Sequence, residues 1–261
     1  MKEYRYFTKN EELEDILFDM ELTVIEDDFK NEEVVYIVYA DTDLSSVFSR
    51  FSVEFTVRDV SETGWEEKWK EFLQPGWLTD NVYCCFDSET AAPSGKAVRI
   101  IPALAFGTGT HATTQAAARL LESVAAGRTV ADVGCGSAIL AITASVCGAE
   151  KVYAFDIDDM AMGNARDNIE LNGCTNIQAW TGGIESLNEQ ADVVVANIIT
   201  GVLKSIHDDV ISRKPEYIVY SGILLEEYEE FMSSIDTSGY VTDASAEVKE
   251  WKGVRLKRCW E

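Results

Sequence analysis

Residues 129–140 read TVADVGCGSAIL, a β-branched run that turns through glycines and passes directly into an apolar helical pattern. Glycines at that turn let a ligand approach the backbone where a Cβ would collide, and the helix behind them offers free N–H groups. A strand this apolar must be buried on both faces, which calls for a parallel sheet covered by helices. The second half of the chain repeats the alternation. Buried runs at 130–133, 152–156, 177–180, 193–196 and 217–220 are separated or flanked by helical patterns at 113–126, 139–147, 159–171, 201–213 and 225–235. Together they predict an α/β fold, a mainly parallel doubly wound sheet. Late runs at 240–246 and 254–260 are expected to add an antiparallel pair.

The 261 residues are 46% hydrophobic and 26% charged, enough for one large or two small domains. The first sixty have a different rhythm. Short extended runs at 4–7, 22–26, 34–39 and 53–57 alternate with helical patterns at 10–20 and 44–51, giving the order βαββαβ. That order is the ferredoxin-like unit, which hosts many activities. Trp65, Trp69, Phe72 and Leu73 then fall at helix spacing before Pro75-Gly76, so 61–80 reads as a linker helix. The expected division is 1–60, 61–80 and 81–261.

Acidic residues outnumber basic ones 46 to 22, for a net charge of −24. Such a surface opposes phosphate backbones and favours a basic partner. Residues 1–60 alone carry 16 acidic and 6 basic side chains. The apolar stretch 138–148 is far short of the roughly 20 residues that span a bilayer, and the charged start of the chain is no secretory signal. Six cysteines without a CxxC pair and two histidines give a zinc site little to build on, and unpaired thiols fit a reducing cytosol. We therefore expect a cytoplasmic protein with no metal, no membrane and no direct nucleic-acid contact.

The turn departs from the dinucleotide fingerprint, because a GxGxxG counted from Gly134 would need glycine at Ile139. Asp132, two residues before Gly134, suits a cofactor carrying a sulfonium or ammonium charge better than a pyrophosphate. Gly134 and Gly136 would allow its close approach. Asp156 ends the next strand 22 residues after Gly134, where a carboxylate accepts hydrogen bonds from the ribose hydroxyls of an adenosine. Asp158 is read as the cap of the following helix. Asn197 ends the 193–196 run, at the carboxyl edge of the sheet, where its amide oxygen can accept from an amine. The segment 102–115, PALAFGTGTHATTQ, alternates glycine with threonine and suits a loop that covers a cofactor. His111 has no Asp or Ser arrangement around it and is not assigned as a base.

These motifs together resemble the bacterial PrmA-type methyltransferases, which modify large-subunit ribosomal protein eleven. The resemblance rests on Leu104-Ala105-Phe106-Gly107-Thr108-Gly109-Thr110-His111, Asp132-Val133-Gly134-Cys135-Gly136-Ser137, Phe155-Asp156-Ile157-Asp158 and Val195-Ala196-Asn197-Ile198. Asp167-Asn168, Asn172-Gly173, Ser221-Gly222-Ile223-Leu224, Glu250-Trp251 and the Trp65/Trp69 segment extend it over nearly the whole chain. It implies a class I methyltransferase domain holding S-adenosyl-L-methionine, with a small N-terminal domain that grips the ribosomal protein. It also implies cofactor contacts at Thr114, Gly134, Asp156 and Asn197, and a transfer of methyl groups to the N-terminal amine and lysine side chains of that protein. Three positions depart from the pattern: Ala138 replaces a glycine of the turn, Ala112 a proline, and Pro102-Ala103 an Asp-Pro-Gly. The Ala138 methyl is expected to weaken or shift cofactor packing.

Asn197 is thus the candidate catalytic residue, and Thr114, Asp132, Gly134, Gly136, Asp156 and Asn197 the candidate cofactor residues. Three other readings stay open: a lysine methyltransferase for another basic protein, a noncatalytic cofactor-binding module and, remotely, a nicotinamide dehydrogenase. A nucleic-acid base methyltransferase is disfavoured, because Asn197-Ile198-Ile199-Thr200 lacks the aromatic that stacks a flipped base.

Overall fold

A computed structural model describes residues 2–7, 10, 13, 16, 17, 20, 24–27, 35–40, 42–51, 53–59, 75–86, 92, 93, 95–101 and 111–259. The chain divides into two compact units, Met1–Phe72 and Leu73–Glu261.

In the first unit, alternating tyrosines put one face of strand β1 (Lys2–Tyr6) into a core. β2 (Val24–Asp27), β3 (Val35–Ala40) and β4 (Phe55–Asp59) complete a sheet of order β2-β3-β1-β4 in which every neighbouring pair is antiparallel. Helix α1 (Ser45–Arg50) connects β3 to β4, and helical Leu13, Ile16 and Leu17 lie between β1 and β2 behind Asn10, whose side chain accepts from the Leu13 N–H. Tyr4 stacks on Phe48 at 5.3 Å, and both are fully buried with Leu13 and Leu17. This is the predicted βαββαβ order. The linker helix expected over 61–80 lies outside the described residues as far as 74.

The second unit begins with a feature that periodicity missed. β5 (Gly76–Trp77), β6 (Val82–Cys85) and β7 (Lys96–Arg99) form a separate three-stranded sheet. Residues 76 and 77 therefore pair within this unit rather than continue the connector. Helix α2 (Ala112–Ala125) leads into the large sheet, built from β8 (Thr129–Val133), α3 (Ile139–Val146), β9 (Lys151–Asp156), α4 (Asp159–Leu171), β10 (Ile177–Thr181), β11 (Val193–Asn197), α5 (Thr200–Ser212), β12 (Tyr217–Leu224), α6 (Tyr228–Ser234), β13 (Tyr240–Val248) and β14 (Trp251–Arg258). The strand order is β10-β9-β8-β11-β12-β14-β13. The first five strands are parallel, and β14 and β13 are antiparallel, as the late pair predicted.

Strand alternation supplies two cores. Val130, Val152, Ala154, Val193, Val195 and Val219 face Leu120, Leu140 and Met162, while Ala131, Phe155, Val194, Ile218 and Tyr220 face Leu203, Val210 and Phe231. Because the chain steps outward from β8 through β9 to β10 and then returns to β11, the crossovers diverge between β8 and β11. Their carboxyl ends leave a crevice there, the place where open α/β sheets take ligands. Among the described residues no helix is long and apolar enough to cross a membrane.

Candidate functional site

The crevice is a cavity of about 520 Å³ with mainly apolar walls. Asp132, Gly134, Gly136, Asp156 and Asn197, all singled out from sequence, line it together. Ile157, Ile184, Ile199, Val202 and Trp251 supply apolar surface.

The glycine turn is built as its residues require. Gly134 has φ +68°, and a Cβ there would stand 2.7 Å from Cγ2 of Ile198. Gly134 and Cys135 donate their N–H groups to the Phe155 carbonyl, at 2.9 and 3.1 Å. Gly136, at φ +51°, donates its N–H to Asp156 Oδ2 at 2.9 Å, and the Asp158 N–H reaches Asp156 Oδ1 at 3.0 Å. Two backbone donors thus fix the carboxylate at the strand end. Each oxygen keeps a further lone pair for a ligand hydroxyl. Asp158 caps α4 by accepting from the Met160 N–H at 2.8 Å.

Ala138 holds the left-handed conformation, φ +63°, at the start of α3. The residue is fully buried in the core and is not part of the cavity wall. Its methyl packs in the core beneath α3.

Asp132 lies on the same face of β8 as Val130, beneath α3. Its Oδ2 accepts from the Ala141 N–H at 2.9 Å, whereas Oδ1 is buried with no partner among the described residues. Burial pushes its carboxyl up to about 7; the hydrogen bond from Ala141 opposes this and the nearby charge of Asp156 adds to it. Asn197 is in a similar position, its Oδ1 buried and unpaired among the described residues while Nδ2 donates to Thr114 Oγ1 at 3.3 Å. Two buried acceptors without donors on one cavity wall are costly to maintain unless a ligand satisfies them. The resemblance implies a cofactor contact at Thr114, next to the cavity-lining Thr113. Thr114 itself is fully buried. Helix α2 begins at Ala112, one residue before the predicted start, and each helical residue turns the side chain by about 100°. His111 caps α2: its Nδ1 lies 2.7 Å from Thr113 Oγ1 and its ring meets the edge of Trp251. Burial pushes the imidazole pKa down.

Sequence reasoning also missed the segment after β10. Ile184 and Glu185 reach the cavity behind Gly182-Gly183, a glycine pair following a strand that marks such a turn. The loop 102–110 lies outside the described residues. Among the described residues no three His, Cys, Asp or Glu side chains are grouped as metal ligands.

A sequence profile of the family described as ribosomal protein L11 methyltransferase (PrmA) matches residues 2–259. The chain belongs to this family. A ribosomal protein L11 methyltransferase of Lactococcus lactis subsp. lactis is 34% identical over 223 residues, 82% of this chain and 70% of that protein. One from Streptococcus pyogenes serotype M1 is 33% identical over 208 residues, 77% of this chain and 66% of that protein. The chain thus spans about two thirds of the length of these relatives. Among solved structures, ribosomal protein L11 methylase from Lactobacillus delbrueckii subsp. bulgaricus is similar, with a TM-score of 0.64 and 29% identity over 71% of this chain and 99% of that one. This is a methyltransferase family of the S-adenosylmethionine-dependent class, with the Rossmann-like sheet described above. Family membership removes the dehydrogenase reading.

S-adenosylmethionine fits the cavity. Unpaired Asp132 Oδ1 suits its cationic end, the Asp156 carboxylate its ribose, the glycine turn its close approach and the isoleucines its adenine.

Proposed function

We propose that this chain transfers methyl groups from S-adenosylmethionine to amino groups of ribosomal protein L11, taking its N-terminal amine and lysine side chains. The observation that carries the reading is the buried, unpaired Oδ1 of Asn197 at the crevice between β8 and β11. An oxygen with an unengaged lone pair in an apolar wall selects a donor that brings its own N–H, and a neutral amine does so.

Bound there, S-adenosylmethionine supplies an electrophilic methyl group. Asp156 would hold the ribose end, Asp132 the cationic end, and Gly134 and Gly136 give the backbone clearance. The chain's remaining task is to deliver a neutral amine with its lone pair directed. A lysine with an unperturbed pKa of about 10.4 sheds its proton more readily when taken from water into the wall formed by Ile199, Val202 and Trp251. Asn197 Oδ1, with the Ile198 carbonyl beside it, accepts the amine hydrogens and leaves the lone pair facing the donor. No general base is required: His111 is engaged in capping α2. Rate enhancement comes from positioning and water exclusion.

The partner assignment is supported by charge. Ribosomal proteins are basic, and 16 acidic against 6 basic side chains in the first sixty residues attract such a partner. The same net charge of −24 disfavours direct binding to RNA or DNA. We assign the 1–60 segment to partner recognition, the 81–261 segment to chemistry, and the reaction to the cytoplasm.

Mass spectrometry of purified ribosomal protein L11 incubated with this protein and S-adenosylmethionine, beside an equally basic control protein, tests the reading. Gains in multiples of one methyl group on L11 alone are expected. Gains on both proteins would point to a broader lysine methyltransferase. No gain, with the cofactor still raising the melting temperature, would point to a noncatalytic binding module.

A further inference from the structure

We propose that Thr114 is a positioning residue that holds the Asn197 amide in one of its two orientations, Nδ2 on the Thr114 hydroxyl and Oδ1 left as the acceptor. The inference rests on the reading of Asn197 as the amine acceptor.

An asparagine side chain ends in a flat amide whose terminal torsion is broad and roughly two-fold. Its two orientations present opposite chemistry to a cavity, two donors or one acceptor oxygen. Only the acceptor is useful toward an amine. Here the Nδ2 end is turned inward to Thr114 Oγ1 at 3.3 Å, and the Oδ1 end is left buried and unpaired. Thr114 is itself fully buried and does not line the cavity, so its hydroxyl reaches the site through Asn197.

The helix turn that carries the hydroxyl is also tied down. Ser221 Oγ donates to the Thr113 carbonyl at 2.8 Å, tying the first turn of α2 to β12. Ser221 stands beside Asn197 in the parallel register of β11 and β12 and is fully buried. His111 fixes the same turn from its other end. Helix start, strand end and amide therefore form one frame. At 3.3 Å the Thr114 bond is long, yet it selects between two amide orientations. Its loss is felt in turnover before stability.

The full-length protein is assayed with ribosomal protein L11 and S-adenosylmethionine as Thr114→Val, Thr114→Ser, Asn197→Ala and the double variant Thr114→Val/Asn197→Ala. Valine keeps the β-branched shape and removes the acceptor, and serine keeps the acceptor. Thr114→Val should lower kcat about tenfold, the scale of one lost hydrogen bond, with the cofactor dissociation constant unchanged and the melting temperature lowered by only a few degrees. Thr114→Ser should restore kcat, and the double variant should be no slower than Asn197→Ala. Weaker cofactor binding with kcat intact in Thr114→Val would make Thr114 a cofactor contact and overturn the inference. Equal losses in the valine and serine variants, with a lowered melting temperature, would reduce it to packing. Full turnover in Thr114→Val beside a slow Asn197→Ala would overturn the inference alone. Full turnover in Asn197→Ala would overturn the reading of Asn197 and this inference with it.

Discussion

Gly222 passes so close to Ile198 that a Cβ on it would stand 2.4 Å from the Ile198 carbonyl oxygen. Gly222 has φ +90° and lies where the β12–β14 register shifts between Tyr220 and Ile223. Strand β12 thereby leans on the turn that follows Asn197 and sets where the Ile198 carbonyl points. Alanine at this position meets both a backbone clash and a left-handed conformation. We expect Gly222→Ala to cost about 2 kcal/mol or more, lowering the melting temperature and, because the turn moves, lowering turnover as well. Calorimetry and kinetics on the purified variant check both; an unshifted melting temperature would mean that the strand and turn are not in contact.

Asp132 gives the site a pH dependence whose sign is fixed. In the unfolded chain its carboxyl titrates near 3.8, and in the fold burial pushes it up to about 7. The folded protein therefore keeps a proton that the unfolded chain has released. The stability contributed by that difference is complete below pH 3.8, declines as pH rises and is gone above about 7. A cationic cofactor favours the ionised carboxylate, so binding should expel this proton below pH 7 and affinity should strengthen as pH rises through that value. Calorimetric titration with S-adenosylmethionine in two buffers of different ionisation heat measures the proton directly. Asp132→Asn should abolish proton release and flatten the pH dependence of affinity; a slope that survives in that variant belongs to another group.

Much of this site was legible because its residues stand at strand ends. Asp156 and Asn197 end buried apolar runs, and Asp132 stands two residues before the first glycine of the turn, so each is identified without reference to the rest of the chain. What was not legible depends on distant partners or short elements. β5, β6 and β7 have two to four residues each, interrupted by Asp80, Asn81 and Gly95, too short for an alternation to register. Asn168 reads on a helix as an ordinary polar residue, yet it is buried, accepts from the Ile101 N–H at 2.7 Å and donates to the Ser137 carbonyl at 3.0 Å. Asn172, one turn on, pairs with both backbone groups of Arg99. These side chains bind α4 to the end of β7 and to the glycine turn. Nothing in local spacing announces a partner 67 residues away.

Ala138→Gly separates backbone strain from cofactor packing. A left-handed alanine costs about 1–2 kcal/mol relative to the ordinary helical conformation. Glycine removes that cost, but it forfeits a buried methyl worth about 0.8 kcal/mol and about 0.5–1 kcal/mol in unfolded-chain entropy. The effects nearly cancel, so we expect a change in unfolding free energy below about 1 kcal/mol, measured by urea denaturation. Because the methyl is in the core and off the cavity wall, the dissociation constant of S-adenosylmethionine should not move. Tighter binding in the glycine variant would show that the methyl does press on the cofactor.

Salt should act on the protein substrate and leave the cofactor largely alone. Exposed charges on two partners interact over a Debye length of about 10 Å at 0.1 M and only about 3 Å at 1 M salt. With a net charge of −24, ten units of it from residues 1–60, encounter with a basic ribosomal protein is favoured at low ionic strength. On the proposed reading the cofactor, by contrast, would meet Asp132 and Asp156 within a walled cavity, where screening is weaker. We expect KM for ribosomal protein L11 to rise steeply with added sodium chloride while the dissociation constant of S-adenosylmethionine changes little. A flat KM would assign the acidic surface to solubility alone and leave recognition to apolar contacts.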